Sequence, residues 1–337
     1  MQLLSTFYSL LFLFFVTNSF SQITIITKLP DSAAVAKKNV NSETIITKLD
    51  SVPPSHWINK NMLGIDISQI AFVNWSAGGT SAVSGLIKGH LKRDYKDDYQ
   101  VWSSELIFRY GLSKQEGVEL RKTDDVLRVN STYGYRNDTL SNWYHSAKFN
   151  FNTQFTPGYN YPNTENPISK PFAPAYTFLG VGSEYINKVE KFKFYISPLT
   201  LKNTLVLDQT LANLGAYGVT EAVYDVDGNL VSKGKQSKTE LGILMTTSIE
   251  KEIFTNITLK SRLNLYTDYL YDFGNIDVEW QFQLDLKVNQ YVRANVGLNL
   301  LYDDEIDTIK DENGVLVNIG PKIQLKQVLG VGLEYNF

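Results

Sequence analysis

Between residues 276 and 289 the chain alternates without exception. Ile276, Val278, Trp280, Phe282, Leu284, Leu286 and Val288 take every second position, with Asp277, Glu279, Gln281, Gln283, Asp285, Lys287 and Asn289 between them. Successive side chains of an extended chain point to opposite faces, so the stretch predicts a β-strand with one apolar and one polar face. In a soluble sandwich the apolar face meets a core; in an outer-membrane barrel it meets lipid and the polar face lines the lumen. One strand alone fits both.

The same period recurs from Met62 to Phe337, for example with Trp102, Leu106, Phe108 and Tyr110 opposing Ser103, Glu105 and Arg109. It predicts strands near 62–74, 81–93, 99–112, 126–136, 142–156, 174–187, 190–207, 237–252, 255–270, 274–289, 291–303 and 317–337. In the seventh, the apolar phase moves from Phe192, Phe194 and Ile196 to Leu199, Leu201, Leu205 and Leu207, with Pro198 at the shift. Proline cannot donate to the ladder, so a bulge is expected there. The predicted connections 94–98, 137–141, 188–189, 253–254 and residue 290 are all short. The alternate set, 75–80, 113–125, 157–173, 208–236, 271–273 and 304–316, holds every long one. Sorting of loop length by parity is the outer-membrane arrangement, with short turns on the periplasmic rim.

Aromatic residues of the apolar face gather at predicted strand ends: Trp102, Trp143, Tyr335 and Phe337 at one rim, Tyr110, Tyr269, Tyr271 and Tyr302 at the other. Two such girdles mark where amphipathic rings meet lipid headgroups. The apolar run from Leu10 to Val16, followed by Ser19 and Ser21, reads as a signal peptide over 1–21. Residues 22–61, with SVPPS and the repeated TIITKL segments at 24–29 and 44–49, are expected to form a flexible periplasmic segment before a barrel over 62–337. The terminal GVGLEYNF suggests recognition by the barrel-insertion machinery through Phe337. The expected fold is therefore all-β: a closed antiparallel up-and-down transmembrane β-barrel of about twelve strands in outer-membrane lipid.

Composition narrows the function classes. The chain has no cysteine, three histidines and a formal net charge of −3. Disulfides, thiolate metal sites and a nucleic-acid partner are not expected, and neither is a cofactor.

Several separated motifs, NWSAGG at 74–79, SPLTLKNTLVLD at 197–208, LGAYGV at 214–219, GNIDVEW at 274–280 and YDDEI at 302–306, give the chain a family likeness. It resembles a Bacteroidota family of outer-membrane β-barrel proteins catalogued only as a domain of unknown function. The resemblance implies location and architecture, and no activity.

The lumen face holds the candidate site, a charged network of Lys88, Glu105, Arg109, Lys260, Arg262, Asp277, Glu279, Asp285, Lys287 and Arg293. Its two signs nearly balance. A pore selective for one sign of ion would show a bias, so ion pairs between neighbouring strands, filling a narrow interior, are the first expectation for these side chains. In particular, Asp277, Glu279, Asp285 and Lys287 are expected to face Lys260, Arg262 and Arg293. At the level of function, a conduit or binding protein for a small polar solute comes first, a structural or partner-binding barrel with a plugged lumen second, and a lipid-active enzyme third. For that third reading His145 and Ser131 share the apolar face, but no orienting third residue accompanies them, so enzymatic activity is not expected. YDVDGNLV at 224–231 has the first ligand spacings of a calcium loop, yet Leu230 stands where glycine is needed, and Asp227-Gly228 between Val226 and Leu230 predicts a two-residue hairpin turn instead. No metal site is expected. NWSAGG is expected to make a tight outer turn, and DENG at 311–314 to cap a further hairpin.

Overall fold

Twelve antiparallel strands close on themselves, each pairing with its neighbours in sequence and the last with the first. They are β1 (Trp57–Ile70), β2 (Ala82–Lys96), β3 (Gln100–Gln115), β4 (Arg121–Tyr135), β5 (Trp143–Thr153) and β6 (Ala175–Asn187). The other half comprises β7 (Phe192–Leu205), β8 (Ser237–Phe254), β9 (Ile257–Asp268), β10 (Asp277–Lys287), β11 (Val292–Tyr302) and β12 (Gln324–Asn336). This computed structural model describes residues 56–71, 80–271, 273–312 and 315–337. The chain divides into two units, Met1–Pro54 and Ser55–Phe337, and the described residues belong to the second. The expected signal peptide, the TIITKL segments and the NWSAGG turn lie outside the described residues.

The alternation of the sequence becomes the two surfaces of the barrel. On β12, Leu329, Val331, Leu333 and Tyr335 are exposed on the outside, Leu329 at 78% of its full surface. Inside, Glu105, Asn130, Glu184, Lys202 and Glu240 are buried, Glu240 at 2%. A water-soluble sandwich would show the reverse. Both expected rims are present: rings follow one another from His56 through Tyr95, Trp57 and Trp102 to Tyr133, with successive centroids 5.2 to 6.5 Å apart. At the same rim Trp143 packs on Tyr185 and Tyr335 stacks on Phe337, while Tyr110–Phe155 and Tyr269–Phe273 form the opposite one.

Connections 97–99, 136–142, 188–191, 255–256 and 288–291 are short, and they share the rim with the start of β1. The other rim carries 71–81, 116–120, 154–174, 206–236, 269–276 and 303–323. The sequence expectation of a long loop over 113–125 is corrected here. β3 runs to Gln115 and β4 starts at Arg121, so only a turn at 116–120 remains, with Gly117 in a left-handed conformation. Similarly β1 begins at Trp57 rather than Met62. In these extensions polar residues occupy both faces, as at Asn59, Lys60 and Asn61 and at Lys114, Gln115, Arg121 and Lys122, so the backbone ladder continues without alternation to announce it. The connection 303–323 contains its own hairpin, in which Glu312 pairs with Val315, so β12 starts at Gln324 instead of near 317. The expected DENG tip at 313–314 lies outside the described residues.

The bulge expected at Pro198 is present. Val181 pairs with Leu199 but Ser183 with Ile196, and Thr200 pairs with Gly242 but Ser197 with Leu244, so β7 carries one extra residue against both neighbours. Ser197 is fully buried, its hydroxyl 2.9 Å from the carbonyl oxygens of Val181 and Leu199. The Tyr269 hydroxyl donates to the Pro198 carbonyl at 2.6 Å. The bulge brings the Ile196 carbonyl to where a Cβ of residue 182 would be, which explains glycine at that position.

That contact yields a prediction. Gly182→Ala should destabilise the folded barrel by roughly 1–3 kcal/mol through overpacking, read from urea unfolding in detergent; unchanged stability would count against the bulge geometry.

Candidate functional site

Because inward positions of all twelve strands converge on one axis, the lumen gathers most of the charge of the barrel wall. Arg262 of β9 meets Glu105 of β3 at 2.9 Å, and Arg128 of β4 meets Glu279 of β10 at 2.8 Å. Each pair joins strands six places apart in a ring of twelve. They are opposite walls, so long side chains bridge the lumen across its width. A third tie runs from Lys326 of β12 to Asp124 and the Thr123 carbonyl of β4, at 3.0 and 3.2 Å.

These contacts reach beyond the neighbour pairing expected from sequence. Lys260–Asp285 at 2.8 Å does join adjacent strands, as expected. Arg262 and Glu279, however, each find a partner on the far wall, and Arg293 turns to Glu334 at 2.8 Å. Lys88 pairs with Asp66 at 2.9 Å, Arg109 with Asp124 at 3.0 Å, and Asp277 with Lys202 at 2.8 Å. Lys287 stands exposed at the end of β10 on the short-turn rim. Every other residue of the expected network enters an ion pair, and the partners Asp66, Asp124 and Lys202 lie outside that set.

The remaining bonds show why the charges are tolerated. An unpaired charge in such an interior is costly, and partial satisfaction is nearly as bad. Glu105 also accepts from Asn130 at 2.7 Å and contacts His90 at 3.0 Å. Glu279 accepts from Asn264 and Gln281 at 2.9 and 2.7 Å. Inward tyrosines complete the filling: the Lys148 ammonium lies 4.6 Å from the Tyr195 ring centre, and that of Lys202 lies 5.2 Å from Tyr266. Tyr144, Tyr195 and Tyr266 were invisible as lumen residues, because tyrosine fits either face of a strand. At the closure, Asp66 reaches over β12 into the space that a Cβ of residue 332 would need, so the GVG of the terminal motif makes room for the Asp66–Lys88 pair. A groove of about 500 Å³ at this closure, lined by Leu63, Ile65, Leu333 and Tyr335, is on the outside of the barrel and is not part of the lumen.

At the rim of the long connections, 154–174 and 206–236 fold into a cap. Ala173, Val206, Leu211, Ala212 and Val219 bury one another, with Ala216 and Tyr217 packed alongside. The short helix α1 (Gln209–Asn213) is capped by Asp208, which accepts from the Leu211 N–H at 3.0 Å and from Lys170 at 2.7 Å. Tyr217 donates to the Ile168 carbonyl at 2.7 Å, and burial pushes its hydroxyl up to about 12. The cap thus joins connections 154–174 and 206–236. A hairpin is present there, but its turn is corrected: the Asp225 N–H donates to the Asn229 carbonyl at 3.0 Å and that of Gly228 to the Asp225 carbonyl at 3.1 Å, so the loop is three residues, 226–228, rather than the expected two, with left-handed Gly228 at its end and the Asp225 carboxylate accepting from the N–H groups of Asp227 and Asn229. His145 and Ser131 are not brought together: His145 pairs across the ladder with Tyr135, Ser131 with Phe149, and the Ser131 hydroxyl contacts Ser104 and Trp102.

Two predictions follow from the network and the cap. A double-mutant cycle on Arg262→Ala and Glu105→Ala should give a coupling of about 1–2 kcal/mol in barrel unfolding, whereas additivity would mean that the cross-lumen pair contributes nothing. For Asp208, burial raises the carboxyl, but the Lys170 and Leu211 hydrogen bonds outweigh it and hold the group below its ordinary value. A depressed carboxyl stabilises above its unfolded pKa and loses that contribution as pH falls through the folded one. Protection of the Leu211 amide against hydrogen exchange should therefore drop below about pH 4, and Asp208→Asn should show the lower protection already at neutral pH; a pH-independent protection factor would contradict this.

Residues 67–159 match a family described as a protein of unknown function (DUF3078). No curated protein matches the chain. Among solved structures, the chain is similar at 12% identity to an outer membrane channel from Pseudomonas putida F1, over 85% of this chain and 97% of that one, with a TM-score of 0.38. The translocator domain of the autotransporter NalP from Neisseria meningitidis aligns at 10% identity over 88% and 93% of the two chains, with a TM-score of 0.34. The NanC porin aligns at 11% identity over 82% and 97%, with a TM-score of 0.32.

Proposed function

We propose that this protein is an outer-membrane barrel whose lumen is closed to solute diffusion and whose working surface is its folded outer cap, a structural or partner-binding role. The observation that carries the reading is the pair of ties, Arg262–Glu105 and Arg128–Glu279, between opposite walls. The membrane location is supported by the exposed apolar positions from Leu325 to Tyr335 on β12, a stretch matching the ~9–11 residues with which a tilted strand crosses a bilayer. Closure leaves no sheet edge in hydrocarbon, the requirement for a β-protein there. Export by a signal peptide over 1–21, a periplasmic N-terminus, insertion through Phe337 and a Bacteroidota origin belong to the same proposal and rest on the sequence.

A gated conduit for a small polar solute is the second reading. It is favoured by the same ties, because side-chain bridges can part while the wall stays intact, and Arg262 keeps 32% of its side-chain surface exposed. Conductance in a planar bilayer separates the two. The wild-type barrel should be silent, and a variant carrying Arg262→Ala and Arg128→Ala should leak; steady single-channel steps from the wild type would overturn the occluded reading.

A further inference from the structure

At the outer end of the lumen, acid gathers without matching base. Val278 pairs with Tyr302 at the last step of the β10–β11 ladder, so the next residues outward, Asp277 and Asp303, face each other. Like charges directly opposite in a ladder repel. Asp304 joins them: one carboxylate oxygen from each of the three lies within 4.8 Å of the others. Lys202 offsets part of this charge, its ammonium 2.8 Å from Asp277, 3.5 Å from Glu240 and 3.6 Å from Asp303. Lys238, the other nearby cation, is engaged by Glu305. Asp277, Asp303 and Glu240 thus share one ammonium, and Asp304 accepts only from the Asn275 amide at 2.9 Å among the described residues.

Two further atoms point the same way. Glu240 Oε2 and the Tyr266 hydroxyl have no hydrogen-bond partner among the described residues, although the two residues are only 2% and 4% exposed. Buried polar atoms are normally satisfied. Both residues line, with Asn275, Asp277, Asp304 and Glu305, a cavity of about 10 Å³, room for one water-sized particle.

We propose that Asp277, Asp303, Asp304 and Glu240 form a calcium site at the outer mouth of the barrel. An all-oxygen set without nitrogen or sulfur donors selects a hard cation. Carboxylates arriving from different strands and a connection fit calcium's adaptable coordination better than the strict octahedron of magnesium. The ion neutralises the opposed aspartates and fastens β10 and β11 to the connection 303–323. Through Glu305, which lies against Gly218, it also steadies the cap. Sequence spacing hides this site, because Asp277 and Asp303 meet only through the ladder register.

Isothermal titration of calcium chloride into the full-length, detergent-refolded barrel tests the proposal. One saturable site is expected, weakened at least tenfold by Asp304→Asn and by Asp303→Asn, and bound more tightly than magnesium. Asp225→Asn, at the hairpin whose sequence imitates a calcium loop, should leave binding unchanged. A rise in melting temperature with calcium, reversed by chelator, gives a second readout that needs no variant. Absence of saturable binding, or binding lost in Asp225→Asn and retained in Asp304→Asn, would overturn it.

Discussion

In hydrocarbon a backbone N–H or C=O without a partner costs several kcal/mol, and a sheet satisfies them all only when its first strand meets its last. Here that junction is the ladder from Met62↔Asn336 to Asp66↔Gly332. Once the ring closes, each strand has one face outside and one inside, and the period of two along the chain becomes the radial division of the molecule. Leu333 and Tyr335 then look outward, while Glu334 between them looks inward to Arg293. The glycines of the same segment let Asp66 fold over the junction. Closure, pairing and lumen charge are thus one constraint expressed at one place.

The same constraint explains why the interior is tied across its width. Charges directed into a confined space cannot all be served by their neighbours on the wall, since neighbouring strands frequently repeat a sign. Arg262 lies beside Lys260 in its own strand and looks to Glu105 on the opposite side. Removing one member of such a pair leaves the other uncompensated, which makes the network cooperative. The same network links the lumen to the cap and to the acidic cluster near it through Lys202 and Lys238.

The fold was largely legible because lipid and lumen impose opposite chemistry on alternate residues. The strand number, the face assignment in IDVEWQFQLDLKVN and the bulge at Pro198 all follow from phase alone. Strand ends were less legible: the polar stretch at the end of β3 and the start of β4 continues the ladder where neither face needs to be apolar. Of the candidate site, the face of each charge was readable and its partner was not. Periodicity assigns Arg128 and Glu279 to the lumen, but only the ring order reveals that they stand opposite each other. Lys202 kept the right phase, between Leu201 and the inward Thr200 and Thr204, yet it lies just past the bulge that resets the count. Asp303 and Asp304 follow the end of β11, where alternation has already stopped.

The chain's lack of native cysteine makes one measurement direct: the reactivity of single cysteines placed successively from 278 to 285 in β10, in the barrel reconstituted in a bilayer. An apolar-out, tied-lumen barrel predicts that cysteines at 278, 280, 282 and 284 react with a membrane-soluble maleimide. Those at 279, 281, 283 and 285 should resist a bulky charged reagent until Arg128 and Arg262 are both replaced by alanine. Rapid labelling of the second set by the bulky reagent in the otherwise unaltered barrel, or loss of the alternation, would contradict it.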